Sequence, residues 1–483
     1  MSISEDSVFA TGPTPCPRRR FLLVITAAAV GVLLLLSYIF NKRDDYTPSI
    51  SRYQGGSSIF PLKLSLTSAS QCKIDAELVS RYEFKGDVKY TRREIFAEYT
   101  EKEDLPLSSY VDMKLFDDGQ PIRLTRNGPT TSRCSEPIVI KVPPSLALVD
   151  ASHLDFGIAT SMERLLDSMD TFAVWGGHTN CRFFVYLEPG AEKWKAVRKA
   201  QALGLRLFLF ESGVNYENRY FLLVKLLAEH SRPETKWSCI MDDDTFFLSM
   251  PRLVNMLSKY DASIPHFIGS VSENDAQIST FGMIAYGGAG MFFSRPLLDK
   301  LGRIWDVCDA ETGHGDGKIA YCVYKFTHAK LEIENGLHQL DIQRDPSGWF
   351  EAARSSPVSL HHWKSWFKTD MIAMTAVQES CGTECVLRQW RFADGWILTN
   401  GYSVIHHGET VSQEYGAFAM EKTWDDPYES FLRMLGPLRP KEHDKISFQL
   451  ADAIVEGGQV RQIYIYRDEK DGDQVLELVW RMQ

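Results

Sequence analysis

The stretch that decides the fold reads Trp237-Ser238-Cys239-Ile240-Met241-Asp242-Asp243-Asp244-Thr245, a short apolar run followed by three acids. The apolar run is typical of a buried strand in an α/β sheet. Such a strand brings the acids to its C-terminal end, where open α/β sheets place their ligands. Residues two apart point the same way on an extended chain, so Asp242 and Asp244 can share one target. The simplest target is Mn²⁺ or Mg²⁺, because hard cations prefer oxygen ligands. An acidic turn after a strand is the alternative interpretation.

Upstream of this stretch, strand and helix patterns alternate. The first helix begins with Thr160-Ser161-Met162-Glu163, which has the form of a capping box. The predicted strands cover 154–159, 182–187, 205–210 and 237–241, and the predicted helices lie near 162–169, 191–203 and 220–228. This alternation predicts a Rossmann-like, mostly parallel sheet with helices on both faces, in which the acidic triplet ends the fourth strand.

Downstream, the run Tyr286-Gly287-Gly288-Ala289-Gly290 has glycines that permit close approach of the backbone to a ligand. A tight turn is the alternative. Farther on, Asn400-Gly401 and Asp471-Gly472 predict β-hairpins within 396–407 and 459–480. The last hundred residues or so are therefore predicted to be a β-rich appendage.

The composition of the 483 residues, 44% hydrophobic and 24% charged, is that of a globular protein with two or three domains. A net charge of −10 argues against nucleic acid as the main partner. Residues 21–40 carry no charge and are long enough to cross a bilayer. The arginines at 18–20 favour a cytosolic N-terminus. We therefore expect a single-pass type II membrane protein of the Golgi or endoplasmic reticulum, with its catalytic part in the lumen.

The predicted layout has six segments. They are a cytosolic tail (1–20), the anchor (21–40), a stem (41–70), a luminal subdomain of unknown role (71–150), the α/β domain (151–375) and the β-rich region (376–483). Eight of the nine cysteines lie beyond the anchor, an even number that permits disulfides in an oxidising compartment, although their spacing does not fix the pairing.

Several motifs occur together in a fixed order. They are Phe156-Gly-Ile-Ala-Thr-Ser-Met-Glu-Arg164, Asp242-Asp-Asp-Thr245, Tyr286-Gly-Gly-Ala-Gly290, Gly315-Asp316 before Cys322, Gly336-Leu-His-Gln-Leu-Asp341 and Ser359-Leu-His-His-Trp363. In this order the chain resembles glycosyltransferase family 31 in its Fringe-like branch, which includes core 1 β-1,3-galactosyltransferases. Within that branch it is similar to a fungal group of type II membrane proteins. The resemblance covers roughly residues 150–370.

The resemblance implies a GT-A fold, a UDP-sugar donor, Mn²⁺ (or Mg²⁺) and inversion at the anomeric carbon. It further implies transfer of galactose or an N-acetylhexosamine, in a β-1,3 linkage, to a glycan or glycoprotein acceptor. A homodimer is compatible with it.

The resemblance also assigns residues to roles. Asp242 and Asp244 would bind the metal with a histidine, for which His362 is preferred to His361. The nucleotide sugar would contact Thr160, Arg164, Asp242, Asp243, Gly287 and Gly288. A solvated cation on a helix face is the alternative for Arg164.

Inverting transfer needs a base for the acceptor hydroxyl, and carboxylates serve in inverting glycosidases. Asp316 stands at the expected place, although relatives commonly show two adjacent acids there. A helix N-cap is the alternative role for Asp316.

Two other functions remain open. One is a catalytically inactive, membrane-anchored glycan-binding protein, and the other is a metal-dependent luminal hydrolase that uses the acids and the histidine pair.

Overall fold

The computed structural model describes residues 71–73, 81–84, 88–101, 105–116, 122–124, 131–133, 135–408, 419–470 and 472–482. The predicted cytosolic tail, anchor and stem lie outside these residues. Among the helices that are described, none combines the length and the apolar character needed to cross a membrane.

The strands are numbered in chain order. They are β1 Gln71–Lys73, β2 Val88–Tyr99, β3 Ser108–Val111, β4 Ile122–Leu124, β5 Thr131–Arg133, β6 Ile138–Val142, β7 Leu154–Ala159, β8 Arg182–Leu187, β9 Arg206–Glu211, β10 Trp237–Met241, β11 Phe246–Phe247, β12 Phe267–Gly269, β13 Met291–Ser294, β14 Leu331–Ile333, β15 Ser359–Leu360, β16 Gln389–Phe392, β17 Ile397–Thr399, β18 Ser403–His406, β19 Met420–Glu421, β20 Leu438–Arg439, β21 Ile446–Glu456, β22 Gln459–Tyr466 and β23 Gln474–Met482.

The α-helices of the described residues are numbered in the same way. They are α1 Met162–Gly176, α2 Lys193–Ala202, α3 Tyr216–His230, α4 Met250–Leu257, α5 Asp275–Phe281, α6 Arg295–Arg303, α7 Trp305–Asp309, α8 Gly315–Phe326, α9 Ser347–Glu351, α10 Met371–Thr375, α11 Gln378–Cys381 and α12 Leu432–Leu435. Short 3₁₀ turns occur at Gly287–Ala289 and Thr383–Cys385.

The predicted α/β sheet is present, with seven described strands in the order β14-β12-β13-β10-β7-β8-β9. Strand β13 is antiparallel to both neighbours, and the other pairs are parallel. The mostly parallel, Rossmann-like class is therefore confirmed. The predicted bounds of β7, β8 and β10 agree with the structure, and those of β9 differ by one residue at each end.

Both faces of this sheet are covered, which explains why its central strands are continuously apolar. Phe156 and Cys239 belong to the core on the side of α1, whereas Phe184 and Ile240 belong to the core on the side of α3. Successive residues of a strand thus serve opposite faces. The helix start is a correction: the N-cap of α1 is Ser161, whose Oγ accepts from the Arg164 N–H, because the Thr160 hydroxyl donates to Asp243 instead.

A second sheet joins the two regions that flank the α/β domain in sequence. Its order is β3-β16-β17-β18-β21-β22-β23-β2-β4, with β6 paired to β2 as the tenth strand. Both predicted hairpins are present in it, as β17–β18 and β22–β23. Segments 71–150 and 376–483 are therefore parts of one sheet. Ile95 and Trp480 from this sheet share a hydrophobic core with Phe156 of the first sheet.

Candidate active site

The order of the seven-stranded sheet reverses between β7 and β10. The chain proceeds outward from β7 to β8 and β9, and then returns to place β10 on the other side of β7. Ligands of open α/β sheets bind in the crevice at the C-terminal ends of two such strands. Here those ends carry Thr160, after β7, and the acidic triplet, after β10.

The three acids lie in a hydrogen-bonded turn after β10, in which the Thr245 N–H donates to the Asp242 carbonyl over 3.2 Å, so the interpretation as an acidic turn after a strand applies to their backbone. Asp242 and Asp244 both face His361, with carboxylate oxygens 3.3 Å and 3.0 Å from its Nε2 atom. Asp243 faces the other way and is buried, where it accepts hydrogen bonds from Thr160 and from both arms of the Arg164 guanidinium. The prediction that Asp242 and Asp244 share a target therefore agrees with the geometry, whereas Asp243 positions Arg164.

His361 is buried after β15 and has a defined tautomer. Its Nδ1 atom lies 3.0 Å from the Gln339 carbonyl oxygen. A carbonyl only accepts, so Nδ1 carries hydrogen and Nε2 is the atom directed at the acids. Burial alone would lower the pKa of His361, but the carboxylates of Asp244 and Asp242 outweigh it and raise this pKa well above its usual range. Burial would likewise raise the pKa of Asp244, and the neighbouring His361 holds it far below that range.

His362, the histidine preferred from the sequence, makes different contacts. Its Nε2 atom lies 3.0 Å from Asp341 Oδ1, and its Nδ1 atom lies 2.9 Å from the Ser365 hydroxyl. Both ring nitrogens are thus engaged by protein groups. Asp244, His361 and His362 still form a cluster of the size that can hold a metal ion. Within that cluster, His361 is the histidine whose Nε2 already faces the carboxylates.

The glycine run forms the turn Gly287–Ala289 directly against this cluster. A Cβ atom on Gly288 would overlap the His361 ring, and one on Gly287 would overlap the Tyr220 hydroxyl. The turn is also tied to the acidic loop, because the Thr245 hydroxyl donates to the Gly288 carbonyl over 2.9 Å. The glycines therefore permit close packing of the backbone on His361 and Tyr220, and the turn interpretation is confirmed, whereas a ligand site at this run stays a prediction.

Asp316 contacts the same turn at Gly287. Its Oδ2 atom accepts from the Gly287 N–H over 3.2 Å, and its Oδ1 atom accepts from the Gly317 N–H over 2.8 Å. The N-cap of α8 is His314, so Asp316 is not a cap. Burial raises the pKa of Asp316 to about 6. The hydrogen bond from the Gly287 N–H acts in the opposite direction, and the negative charge of Asp242 adds to the increase.

Arg164 forms the rim of the crevice. Its Nε atom donates to Asp243 over 2.7 Å, while about half of its side chain remains exposed. Lys364 lies beside it, with Nζ 3.9 Å from Asp243 and 2.6 Å from the Ser168 hydroxyl. Arg164 is therefore an exposed cation of the helix that is ion-paired with Asp243, and its contact with a nucleotide stays a prediction.

The sequence did not assign a role to several residues that complete this site. Gln339 and Asp341 lie in the quoted motif 336–341 and contact His361 and His362, respectively. Tyr216 Oη lies 3.4 Å from Asp242, and Ser365 contacts His362. The paired residues are between 3 and 26 positions apart, and no helix or strand periodicity links them, so spacing could not reveal these contacts.

Comparisons with known proteins bear on this site. Residues 215–378 match the family model described as Fringe-like. This segment of the chain is therefore similar to the Fringe-like family. This confirms the resemblance to glycosyltransferase family 31, while the fungal group stays a prediction. The matched segment contains the acidic triplet, the glycine turn, Asp316 and both histidines, and it leaves out Thr160 and Arg164.

Two curated proteins are similar to part of the chain. Beta-1,3-glucosyltransferase of Mus musculus is 30% identical over 148 residues, and the Homo sapiens protein of the same name is 28% identical over 148 residues. Each match covers 30% of this chain and 28% of the relative, so the chain matches well under a third of either relative's length.

Among solved structures, a mannosyltransferase of Pyrobaculum calidifontis, in complex with GDP-Man and Mn²⁺, is 13% identical with a TM-score of 0.28. That match covers 44% of this chain and 64% of the other chain. The name Fringe-like domain is used below for the segment that the family model matches, residues 215–378.

Proposed function

We propose that this protein is an inverting, metal-dependent glycosyltransferase that transfers a hexose or N-acetylhexosamine from a UDP-sugar to a glycan or glycoprotein, in a β-1,3 linkage, on a GT-A fold. One observation supports it above the others. A carboxylate pair that faces a tautomer-fixed histidine and a carboxyl with a raised pKa both adjoin one glycine turn, the histidine at Gly288 and the carboxyl at Gly287.

The donor set fits a divalent cation. Asp242, Asp244 and His361 would hold it, because two carboxylates and one imidazole suit Mn²⁺ and leave coordination positions for diphosphate oxygens. Ligation would use the Nε2 lone pair of His361, whose orientation the Gln339 carbonyl already fixes. When bound, such a cation stabilises the negative charge that develops on a departing diphosphate. Both ring nitrogens of His362 already contact protein groups, so His362 would stabilise the site and His361 would be the histidine that binds the cation.

Asp316 would take the proton from the acceptor hydroxyl. In an inverting transfer the acceptor attacks from the face opposite to the leaving group, so the base and the metal ligands must lie on different sides of the transferred sugar. The glycine turn, with His361 against Gly288 and Asp316 on the Gly287 N–H, supports such an arrangement. Arg164 and Thr160 at the crevice rim would bind the nucleotide.

The donor sugar and the linkage rest on relatives. Both similar curated proteins are named beta-1,3-glucosyltransferase. Glucose therefore joins galactose and the N-acetylhexosamines as a candidate for the transferred sugar. Golgi or endoplasmic reticulum residence, the type II anchor at 21–40 and a homodimer remain parts of the proposal that rest on the sequence.

The experiment is a donor screen with the purified full-length chain. UDP-glucose, UDP-galactose, UDP-N-acetylglucosamine and UDP-N-acetylgalactosamine are each tested with Mn²⁺ and with EDTA, and UDP release is measured. We expect release from one donor, only with Mn²⁺, and loss of it in Asp244→Asn. Asp299→Asn, which alters a surface ion pair with Arg295, is the matched control and should keep full activity. Metal-independent turnover would refute the mechanism.

The same screen separates the two alternatives. An inactive glycan-binding protein would release no UDP from any donor yet bind glycans unchanged in Asp316→Asn. A luminal hydrolase would release sugar or phosphate from a glycan or phosphoester without any nucleotide sugar.

A further inference from the structure

Two buried cysteines flank the segment that carries Asp316. Cys308 lies in α7 and Cys322 lies in α8, fourteen residues later and six residues after Asp316. Their thiols are within hydrogen-bonding contact of each other. Both are free in this structure. The chain thus brings two sulfurs together across the loop that leads to the candidate base.

The surroundings of this pair are apolar and dry. Both cysteines line one cavity of about 10 Å³ with Phe221, Val224, Leu301, Trp305 and Ile319. A cavity of this size is at or below the limit for a single water molecule. Apart from the two cysteines themselves, no metal-ligating side chain lines that cavity, so a metal would have only two protein ligands there. A direct sulfur–sulfur bond is therefore the simplest chemistry that these two groups can share.

We propose that Cys308 and Cys322 form a disulfide that holds the start of α8, and with it Asp316, against the glycine turn. The role of the disulfide in positioning Asp316 rests on the proposed function, whereas the existence of the disulfide does not. The intervening loop 309–314 is largely exposed and is otherwise held by polar contacts such as Lys318 Nζ to the Asp309 carboxylate over 3.1 Å. A covalent link across it would restrict the position of Asp316.

The reaction is a thiol–disulfide exchange with an external oxidant, a protein disulfide or oxidised glutathione. The Cys308 thiolate attacks one oxidant sulfur, a mixed disulfide forms, and the other oxidant sulfur leaves as a thiolate. The Cys322 thiolate then attacks the Cys308 sulfur and releases the second oxidant thiolate, so that two electrons pass to the oxidant and two thiol protons are released. Because both sulfurs are buried in the folded chain, the exchange precedes complete folding.

A second observation supports an oxidised chain. Cys381 and Cys385 are already joined by a disulfide in this structure. Cys181 and Cys239, by contrast, are buried thiols with no disulfide. They provide internal controls for chemical mapping of the same molecule.

The first test maps the bond in the full-length chain, independently of activity. Cells that secrete or retain the protein in the secretory pathway are treated with N-ethylmaleimide before lysis, and the denatured, alkylated protein is digested without reduction. We expect a linked pair of peptides containing Cys308 and Cys322, and alkylated Cys239. Alkylation of both Cys308 and Cys322 would overturn the proposal.

The second test asks what the bond does for Asp316. We expect Cys308→Ala, Cys322→Ala and the double variant to lower kcat equally, by about tenfold or more, with the donor KM unchanged. Equal and non-additive losses are the signature of one shared bond. Dithiothreitol should lower the kcat of the wild type more than that of the double variant. Any effect of dithiothreitol through the Cys381–Cys385 disulfide is common to both proteins. Additive losses, or a bond whose removal leaves kcat unchanged, would overturn the positioning role.

Discussion

Tyr220 has a fully buried hydroxyl with no hydrogen-bond partner among the described residues. It lies against Gly287 on the floor of the candidate active site. A buried hydroxyl without a partner costs the free energy of removing it from water. Natural chains retain such a cost where it serves a site rather than the fold.

We therefore expect Tyr220→Phe to stabilise the protein by about 1 kcal/mol. Tyr464→Phe is the matched control, because the buried Tyr464 hydroxyl accepts from the Gly401 N–H over 3.1 Å and its removal should destabilise by about the same amount. Thermal unfolding of the full-length chain measures both. Equal losses of stability in the two variants would show that the Tyr220 hydroxyl has a partner.

The effect of burial on the pKa of Asp316 should be visible in the pH dependence of the reaction rate. Only the deprotonated carboxylate accepts a proton, so log(kcat/KM) of the wild type should fall below about pH 6, the raised pKa of this group. Asp316→Asn should lower kcat by about 10² to 10⁴. Initial rates from pH 4.5 to 8.5 test both statements, and a variant with half of the wild-type rate would remove Asp316 from the mechanism.

The raised pKa of Asp316 also predicts how the stability of the folded protein depends on pH. Because the pKa of Asp316 is higher in the folded than in the unfolded chain, its contribution is most favourable below about pH 4 and is lost as pH rises through about 6. The loss is at most about 3 kcal/mol. Asp316→Asn should escape it and unfold at a higher temperature than wild type at pH 8, but not at pH 4. The opposite order at pH 8 would contradict the assignment.

At the scale of elements, the turn Gly287–Ala289 sets the distance between the acidic loop and α8. Gly288→Ala would place a methyl group in the His361 ring and displace it. We expect Mn²⁺ affinity, measured by calorimetry, to fall by about 10-fold to 100-fold, as when supporting groups of metal ligands are lost. Gly213→Ala is the control, since its methyl group would meet only Pro189 at 3.8 Å. Unchanged affinity in Gly288→Ala would exclude His361 as a ligand.

The elements of the α/β sheet could be predicted because their signal is local. Strands β7, β8 and β10 are mostly apolar runs between helices, and parallel pairing follows from that alternation. The prediction that Asp242 and Asp244 face one target agrees with the structure, although the two acids lie in a turn and not in an extended strand. The choice between His361 and His362 could not be made, because it depends on the Gln339 carbonyl and on Asp341, which arrive from a loop with no periodic pattern. The cap of α1 was misplaced by one residue because Asp243, distant in sequence, takes up the Thr160 hydroxyl.

At the scale of the whole molecule, the second sheet connects the two ends of the described chain. Strand β23 pairs with β2 from Lys89–Gln474 to Ala97–Met482. The sequence shows short β patterns near both ends of the described chain. It does not indicate which of these strands pair, because the partners are hundreds of residues apart and no local pattern links them. The Fringe-like domain lies between these ends and packs on the same core.

Removal of residues 457–483 should therefore unfold the protein, although the whole matched segment 215–378 would remain. The truncated chain loses β22 and β23 and exposes β2 and the core around Ile95. Size-exclusion chromatography and limited proteolysis should show aggregation and rapid cleavage. As point controls, Trp480→Ala, fully buried, should lower stability by about 3–5 kcal/mol, and Val455→Ala, half-exposed, should change it little. A soluble, protease-resistant truncated chain would show that the domain folds without this sheet.

The pairing of β2 with β23 has a consequence for biosynthesis. A ribosome delivers β2 early, and its parallel partner emerges only after almost four hundred more residues, as the contact of Glu94 with Arg481 illustrates. Throughout that interval the nascent polypeptide presents an unpaired strand edge, which is a hazard for association with other chains. This edge of β2 thus stays unpaired until β23 has been synthesised, and production of the protein should depend on chaperones that shield β2 during that interval.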